Sequence, residues 1–481
     1  MRTERALLAA LLLASAELVV HAQDPPVERP NVVLIYTDDQ GWADLGCQGA
    51  VGFETPRLDR LAAEGLRCES FYVSQAVCSA SRASIRTGCY PNRIGLLHAF
   101  MPWSKLGLAE EEETLAELMR EAGYRTAFVG KWHLGHQPRF LPANHGYDES
   151  FGLPYSNDMW PVDYDGKPVG EEHWKTKYPP LPIFEGLETV DHVETHAEQR
   201  ALTGRYTERA VDFIERRAPA GPFYLELAHS MPHVPLGMDA SYAPRCEAGP
   251  YGDVIEEIDA STGAILDALE RSGVAERTLV LFTSDNGPWL NYGHHAGSAL
   301  PLREGKGTSW EGGARVPCIL RLPGVVPAGV VSTGLATTLD LLPTIAELCG
   351  AHLPEREIDG TSLLAHWRDP STPSPRQELY YYYGVELQAV RRGKWKLHLP
   401  HQYRSYERLT PGSHGHPGPT ATGRVSRALF DLEADPGERR DVADLHPEVV
   451  VELEALAARA RAELGDRDLA GAEQREPARI E

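Results

Sequence analysis

The chain has 481 residues and a formal net charge of −22, from 47 lysines and arginines against 69 aspartates and glutamates. This acidic balance argues against a nucleic-acid partner and against binding to an anionic membrane surface. The length suits one large domain plus a smaller one, and the odd number of cysteines, seven, leaves at least one unpaired, for which Cys78 is the candidate.

The N-terminus has the layout of a cleaved export signal. Arginines near Met1 are followed by a mostly apolar run over residues 6–20, and small residues precede the expected cleavage after Ala22. Glu17 interrupts the run, which is also short for a membrane-spanning helix. We therefore predict a signal peptide over residues 1–22, no stable membrane anchor, and an exported protein in a periplasmic, secreted or lysosome-like compartment.

Residues 30–350 alternate short apolar runs with amphipathic segments. This alternation predicts an α/β fold with a large central, mostly parallel mixed sheet flanked by helices. The predicted strands are 31–36, 126–129, 223–228 and 278–282, and the predicted helices are 58–65, 111–122, 203–216, 254–269 and 338–348. Residues 138–195, rich in Pro, Gly and aromatic residues, are predicted to form long loops around a site.

The pattern changes beyond residue 370. Short strands are predicted at 379–383, 388–391 and 395–399, followed by a loop over 401–419 and a helix over 447–464. Turn-length gaps between the strands favour a small antiparallel sheet. We predict an α/β domain over residues 23–370 and a smaller C-terminal α+β subdomain over 371–481.

A short helix is predicted from Cys78 to Gly88, where glycine would provide a left-handed cap, and Ser79 and Ser81 are N-cap candidates. Cys78 would lie at the positive end of this helix, where an anion is stabilised. Arg82 is four residues further on and shares the same helix face. Taken alone, a buried cysteine beside a solvated arginine is the simpler interpretation.

Acidic residues follow two of the predicted strands. Asp38 and Asp39 come after the strand at 31–36, and Asp285 and Asn286 come after the strand at 278–282. The carboxyl ends of parallel strands meet at one edge of a sheet, where α/β proteins bind their ligands. Such oxygen ligands suit Ca²⁺ or Mg²⁺ better than zinc, although each pair alone is also compatible with an exposed turn.

Basic residues are expected at the same edge. Lys131 and His133 follow the strand at 126–129, His233 follows the strand at 223–228, and Lys306 lies in a glycine-rich loop. Together with Arg82 they provide the groups needed to bind an oxyanion and protonate a leaving group. A cation site facing an anion site is the arrangement expected for hydrolysis of a sulfate or phosphate ester.

In this combination and order the motifs resemble a type I, formylglycine-dependent sulfatase of the alkaline phosphatase superfamily, similar to the arylsulfatase A and N-acetylgalactosamine-6-sulfatase group. The resemblance covers almost the whole mature chain. It is carried by residues 31–46, 78–88, 130–135, 283–287, 305–315 and 430–438. It implies an alkaline-phosphatase-like fold, hydrolysis of aryl sulfates or sulfated carbohydrates, and a formylglycine-generating maturation enzyme as a partner. Nothing in the sequence indicates an oligomeric state.

The resemblance also implies a role for each site residue. Cys78 is the precursor of formylglycine, whose hydrate is the nucleophile, and Arg82 fixes its hydroxyl. His133 is the base that helps to expel sulfate, and His233 is the donor near the leaving oxygen, with the neighbouring His229 ranked lower. The sulfate-binding groups are Lys131, Ser156 and Lys306, and the Ca²⁺ ligands are Asp38, Asp39, the modified Cys78, Asp285 and Asn286.

Two alternatives stay open at this point. The family motif usually has proline two residues after the cysteine, whereas this chain has Ala80, as some members do. If Cys78 remained a thiol, the pocket would bind sulfated glycans without catalysis. The other alternative is a phosphate or phosphonate monoester hydrolase on the same fold. Trp160, Trp289, His294, His295 and His401 could each contact a sugar, or could equally pack within the protein or lie on its solvated surface.

Overall fold

A ten-stranded sheet forms the centre of the computed structural model, which describes residues 29–481, so that the predicted signal at 1–22 lies outside the described residues. In chain order its strands are β1 (Asn31–Thr37), β2 (Leu66–Cys68), β3 (Arg125–Lys131), β4 (Glu149–Leu153), β5 (Leu181–Glu185), β6 (Glu188–Val193), β7 (Phe223–Ala228), β8 (Thr278–Ser284), β9 (Cys318–Arg321) and β10 (Val330–Ser332).

The middle of this sheet is parallel. The spatial order is β10-β2-β9-β8-β1-β7-β3-β4-β5-β6. Strands β8, β1, β7, β3 and β4 run parallel, while β9 pairs with β8 and β5 pairs with β4 in antiparallel orientation. The predicted α/β fold with a large, mostly parallel mixed sheet is therefore confirmed.

Helices cover both faces of the sheet. Alternate residues of β1 contribute to two separate cores, because successive side chains of a strand point to opposite faces. Helices α2, α4 and α9 pack on one core, and α1, α6 and α7 on the other. The α-helices are α1 (Pro56–Ala63), α2 (Cys78–Thr87), α3 (Pro91–Ile94), α4 (Leu115–Glu121), α5 (His196–Arg200), α6 (Leu202–Arg217), α7 (Pro250–Arg271), α8 (Glu311–Ala314), α9 (Leu341–Cys349), α10 (Leu364–Arg368) and α11 (Pro447–Leu464).

Helix α2 begins at the predicted place but is capped differently. Cys78 is its first residue and Gly88 its left-handed C-cap, with φ of 67°. The N-cap is Val77, in extended conformation and without a side-chain hydrogen bond, so the prediction that Ser79 or Ser81 caps the helix is wrong. Both serines lie inside the helix, and the Ser79 hydroxyl accepts the backbone N–H of Phe100 instead.

The C-terminal region contains a four-stranded antiparallel sheet, with α11 packed on it. Its strands are β11 (Glu378–Tyr383), β12 (Glu386–Arg392), β13 (Trp395–His398) and β14 (Ala428–Asp431). The shorter strand pairs are Phe71–Tyr72 with Ala336–Thr337, Leu106–Gly107 with Ala478–Arg479, and His401–Ser405 with Ala421–Val425.

Two segments predicted as loops contain strands. His401–Ser405 lies within the predicted loop over 401–419, and strand β4 and the β5–β6 hairpin lie within the predicted loops over 138–195. Prolines, glycines and charged residues interrupt the apolar alternation in both segments, so backbone pairing rather than a hydrophobic pattern defines these strands. Among residues 29–481, no helix is both long and apolar enough to cross a membrane.

Candidate active site

The predicted site residues lie together at the carboxyl ends of the parallel strands. β1 leads directly into Asp38, β8 into Asp285, and β3 ends at Lys131. The first turn of α2 reaches the same place, since the Cys78 thiol lies 3.4 Å from Asp38 Oδ1 and donates a hydrogen bond to it. Sequence positions far apart are thereby joined in one buried cluster.

The oxygen atoms of this cluster fit a hard divalent cation. Asp38, Asp39, Cys78 and His233 are buried and each offers a ligand atom, all within 4.8 Å of one another. The side-chain amide of Asn286 donates an N–H to Asp39 Oδ1 at 2.7 Å, while the side-chain oxygen of Asn286, Oδ1, is buried without a hydrogen-bond partner. A free amide oxygen beside carboxylates is a donor set typical of Ca²⁺ or Mg²⁺ sites.

Each carboxylate of the cluster also contacts a cationic side chain. Lys131 Nζ contacts the Asp38 carboxylate and donates to the Ser156 hydroxyl at 3.1 Å. Lys306 Nζ lies 2.7 Å and 2.9 Å from the two carboxylate oxygens of Asp39. These ammonium groups are therefore available next to the oxygen ligands, where they would meet an anionic substrate.

Arg82 is the third cation. Its Nε donates to Asp285 Oδ2 at 2.8 Å and its Nη1 to the Lys131 carbonyl oxygen at 2.6 Å. Its Nη2 lies 3.5 Å from Asp38 Oδ2 and has no hydrogen-bond partner, although it is fully buried. Because an unpartnered buried N–H is unfavourable, this atom marks a place where a ligand oxygen would be stabilised.

Burial and neighbouring charges compete in setting the pKa values. Burial acts to raise the pKa of Asp38, but Lys131, His233 and Arg82 hold it well below its usual range. Burial and the Asp38 carboxylate raise the pKa of Asp285 to about 7. Burial alone would lower the pKa of Lys306, yet Asp39 raises it well above its usual value, so Lys306 is a stable cation.

The Cys78 thiol is not an activated nucleophile. The residue is 2% exposed. Burial, followed by repulsion from Asp38, raises the pKa of the thiol far above its ordinary value, and Lys131 and Lys306 only partly oppose this. Since the thiolate is the reactive form, the unmodified side chain is inert at neutral pH.

His133 has the protonation state of a base. Its Nε2 lies 2.9 Å from the Phe100 carbonyl oxygen, which can only accept, so Nε2 carries the proton. Its Nδ1 is buried and has no partner. Burial, with Lys131 and Arg82, lowers its pKa well below the usual value, so Nδ1 is free to accept a proton.

His233 is oriented by its own backbone. Its Nδ1 donates to the Val234 carbonyl oxygen at 2.6 Å, leaving Nε2 at 3.7 Å from Asp39 Oδ2. Burial and Lys306 lower its pKa, while Asp39, Asp38 and Asp158 oppose this. At neutral pH His233 is therefore mainly a neutral group beside the better protonated Lys306.

Two site residues have a strained backbone. Asp39 and His133 have φ values of 69° and 64°, in the left-handed region that non-glycine residues seldom occupy. Such conformations cost about 1 kcal/mol or more each, and they are found where side chains must be held in a defined position for function.

The loop that carries Lys306 is attached to the C-terminal sheet by buried charges, which we call the junction cluster (Glu311, Lys396, His398 and Glu438). Lys396 Nζ lies 2.8 Å from the Ser309 carbonyl oxygen, 3.0 Å from Glu311 and 2.9 Å from Glu438. The Glu438 carboxylate also accepts the backbone N–H of Glu311 at 2.7 Å and His398 Nε2 at 2.8 Å. The C-terminal region thus positions one wall of the site.

The family model described as Sulfatase matches residues 30–351. The chain belongs to the sulfatase family. A further family model, described as the C-terminal region of aryl-sulfatase, matches residues 374–477. The predicted family and its enzyme class, hydrolysis of sulfate esters, are therefore confirmed.

Individual sulfatases agree over nearly the whole chain. Mouse N-acetylgalactosamine-6-sulfatase is 37% identical over 455 residues, covering 89% of this chain and 85% of the mouse protein. Human arylsulfatase A is 38% identical over 451 residues, covering 89% and 87%. The crystal structure of PsFucS1 sulfatase from Pseudoalteromonas sp. superposes with a TM-score of 0.82 at 29% identity, covering 90% of both chains.

Sequence reasoning missed one acidic residue of this sulfatase site. Asp158 has a buried carboxylate oxygen without a partner, and His233, Lys175 and Lys131 lower its pKa although burial opposes them. Its only signal was its place two residues after Ser156. For Trp160 and His401 the structure favours the packing alternative, since both are buried and bonded to backbone carbonyls.

His229 is buried beyond hydrogen-bonding reach of other groups. Neither of its ring nitrogens has a partner, and burial lowers its pKa to about 4.

Trp289, in contrast, contacts the site, since its ring centroid lies 5.5 Å from that of His233 and 4.5 Å from Lys306 Nζ. Trp289 is therefore a residue that could contact both a sugar and the His233 and Lys306 side chains.

Proposed function

We propose that this sulfatase hydrolyses sulfate monoesters of aryl alcohols or carbohydrates through a formylglycine made from Cys78. The observation that carries the proposal is the convergence of cationic side chains and oxygen ligands on a buried, unreactive thiol at the start of α2. A neutral thiol is a poor nucleophile among these groups, whereas a hydrated aldehyde has a hydroxyl that can attack sulfur. The proposal includes a formylglycine-generating maturation enzyme as a partner and an exported location.

The chain's oxygen ligands would hold Ca²⁺, or Mg²⁺ in its place. They are the carboxylates of Asp38, Asp39 and Asp285, the free amide oxygen of Asn286, and residue 78 in its modified form. When bound, a divalent cation favours the deprotonated form of a nearby hydroxyl and offsets negative charge on the sulfate group. The remaining steps depend on side chains of the protein.

Substrate binding falls to the cationic side chains and Ser156. The Lys131 ammonium and the Ser156 hydroxyl, 3.1 Å apart, would share the oxygens of the sulfate group. Arg82 Nη2, which has no partner, would orient the hydroxyl of residue 78 toward sulfur. Charge-assisted hydrogen bonds of this kind are about twice as strong as neutral ones.

Departure of the alcohol depends on Lys306 and His233. Lys306 is protonated and carries the charge that stabilises the developing alkoxide or phenoxide. His233 lies beside it and contributes a hydrogen bond to the same oxygen when it is protonated. The leaving oxygen is therefore protonated by Lys306 or by His233. Of the two, Lys306 is the one that carries a positive charge at neutral pH.

The covalent sulfate is then expelled with the help of His133. A geminal diol at residue 78 has one oxygen to attack sulfur and a second whose deprotonation reforms the aldehyde and breaks the bond between carbon and the sulfated oxygen. The free Nδ1 of neutral His133 accepts that second proton. An ordinary serine at this position would have no second hydroxyl for this step.

We also propose that residues 23–370 form the catalytic domain and residues 371–481 a subdomain that fastens the Lys306 loop. The contacts of the junction cluster support this division of roles.

The experiment that tests the proposed function compares sulfate and phosphate monoesters of the same alcohol. We expect kcat/KM to be about 100-fold higher for the sulfate ester, because the site must distinguish esters of similar shape and different charge. A preference for phosphate would instead support a phosphate or phosphonate monoester hydrolase. The variant Lys131→Met should lose activity on both esters, since both require the same cation.

A further inference from the structure

Arg404 lies beside the loop that carries Lys306. The hairpin strand His401–Ser405 brings its guanidinium to Gly307, where a methyl group built on the glycine would lie 3.5 Å from Arg404 Nη1 and 3.4 Å from the Tyr383 hydroxyl. Two residues further on, the Tyr406 hydroxyl donates to the Lys306 carbonyl oxygen at 2.6 Å. The position of Arg404 is therefore tied to that of Lys306.

No carboxylate neutralises this guanidinium. Within residues 29–481, no acidic oxygen comes within ion-pair distance of Arg404, whereas the nearby Arg303 and Arg439 both pair with Glu407. The groups around Arg404 are the phenols of Tyr406, Tyr383 and Tyr292. Arg404 is an exposed arginine without an acidic partner among the described residues, in a chain with a net charge of −22, so its charge is available to an anion from solvent.

The same aromatic groups connect Arg404 with the residues that act on the leaving oxygen. The Tyr292 ring packs against Trp289 with centroids 4.9 Å apart, and Trp289 lies 4.5 Å from Lys306 Nζ and 5.5 Å from the His233 ring. The indole N–H of Trp289 is buried and has no partner. This wall extends on the side where the alcohol part of a sulfate ester would lie.

We propose that Arg404 determines substrate specificity by binding a second oxyanion, a carboxylate or another sulfate, on the alcohol part of the substrate. The proposal rests on the proposed function, because it takes Lys306 and His233 as the groups at the leaving oxygen. A planar guanidinium binds two oxygens of either anion with parallel hydrogen bonds, and Trp289 offers a flat face to the sugar that carries it.

The test uses three sulfate esters of one sugar: a parent with a single sulfate and no other charge (the neutral ester), the same ester with a carboxylate, and the same ester with a second sulfate. For Arg404→Gln we expect KM to rise by about 10-fold or more on at least one of the doubly anionic esters, as for loss of a charge-assisted hydrogen bond, and by less than about 2-fold on the neutral ester. Arg404→Lys should restore part of this loss, since it keeps the charge without the planar fork.

Arg427→Gln is the matched control. Arg427 is an exposed arginine in the same C-terminal region, paired with Glu454, and its loss should change KM for none of the three esters.

Comparison of the carboxylate and sulfate esters identifies which oxyanion is bound. Equal changes for Arg404→Gln on all three esters, or no preference of the wild-type protein for either doubly anionic ester, would overturn the inference and leave the proposed function intact. If the wild-type protein, with aldehyde at residue 78, turned over none of the three and no aryl sulfate either, both would be overturned.

Discussion

The site cluster (Asp38, Asp39, Arg82, Lys131, His133, Asp285, Asn286 and Lys306) and the junction cluster are both buried and both pair lysines with carboxylates. They differ in how completely their polar atoms are bonded. In the junction cluster the Lys396 ammonium has three oxygen neighbours and both carboxylates are bonded, which leaves His398 Nδ1 as its one buried polar atom without a partner. In the site cluster, three buried polar atoms have no hydrogen-bond partner: Arg82 Nη2, His133 Nδ1 and Asn286 Oδ1.

This difference separates a structural cluster from a ligand-binding one. A buried polar atom without a partner is unfavourable, so a cluster that serves only to join two parts of the chain should bond its charged groups internally. Lys396 does so by bonding the Ser309 carbonyl as well as two carboxylates. The unpartnered atoms of the site are explained if a cation and a sulfate group supply their missing neighbours.

The largest effect is expected from Cys78→Ala. Loss of the nucleophile should lower arylsulfate turnover by about 10⁴-fold, while circular dichroism and thermal unfolding remain close to wild type. Cys349→Ala, which removes another buried thiol at the end of α9, is the control and should keep its activity. Unchanged turnover by Cys78→Ala would exclude residue 78 as the nucleophile.

Removal of divalent cations should have the next largest effect. A chelator is expected to lower turnover about 100-fold and to reduce the melting temperature, since a ligand that binds only the folded state stabilises it. Added Ca²⁺ should restore both. If the chelated protein showed no loss in either measurement, the interpretation of the oxygen ligands as a cation site would be incorrect.

Replacement of the two buried lysines tests the comparison directly. Lys306→Met should lower kcat about 100-fold by removing charge at the leaving oxygen. Lys396→Met should instead destabilise the fold by about 3–5 kcal/mol, because Glu311 and Glu438 are left buried without their cation. Denaturant unfolding and turnover per folded molecule separate the two, and the opposite pattern would reverse the roles given to the clusters.

Glu257 should give the smallest effect, since it is a buried acid for which the described residues provide no cation. Burial raises its pKa to about 7. A raised pKa in the folded state favours the protonated form, so its contribution to stability is complete below the unfolded pKa near 4.3 and is lost as the pH rises through 7. We expect Glu257→Gln to gain about 2 kcal/mol over wild type between pH 5 and pH 8 in urea unfolding.

Glu270→Gln is the control for this measurement. Glu270 is an exposed residue of the same helix and pairs with Arg60, so its replacement should change stability little at either pH. A parallel pH dependence of wild type and Glu257→Gln would show that Glu257 is not the group responsible.

Much of the fold and of the site was predictable because the site residues come directly after the strands in the sequence. The strands β1, β7 and β8 are continuous apolar runs, and the polar residues directly after them must lie at one sheet edge. Asp39 and Asn286, which are hydrogen-bonded, lie 247 residues apart in sequence. They were nevertheless predictable as neighbours, because each follows one of these strands. The C-terminal helix was also predictable, since its sequence is rich in the helix formers Ala, Glu and Leu.

Residues brought in by irregular segments were not predictable. Arg404 lies on a strand whose burial alternates without an apolar pattern, and its approach to Gly307 depends on pairing with Ala421–Val425. Asp158 lies in a loop with no period at all. The capping error at Ser79 has a similar cause, because the start of α2 depends on the extended backbone of Val77 rather than on a side chain.

Mass spectrometry of the tryptic peptide 68–82 tests the central claim most directly. The peptide contains both Cys68 and Cys78, so the Cys68 thiol is an internal control in the same fragment. For active protein from its natural host we predict one thiol and one aldehyde, with sulfur and two hydrogens replaced by oxygen at residue 78. Two intact thiols in fully active protein would contradict the formylglycine mechanism.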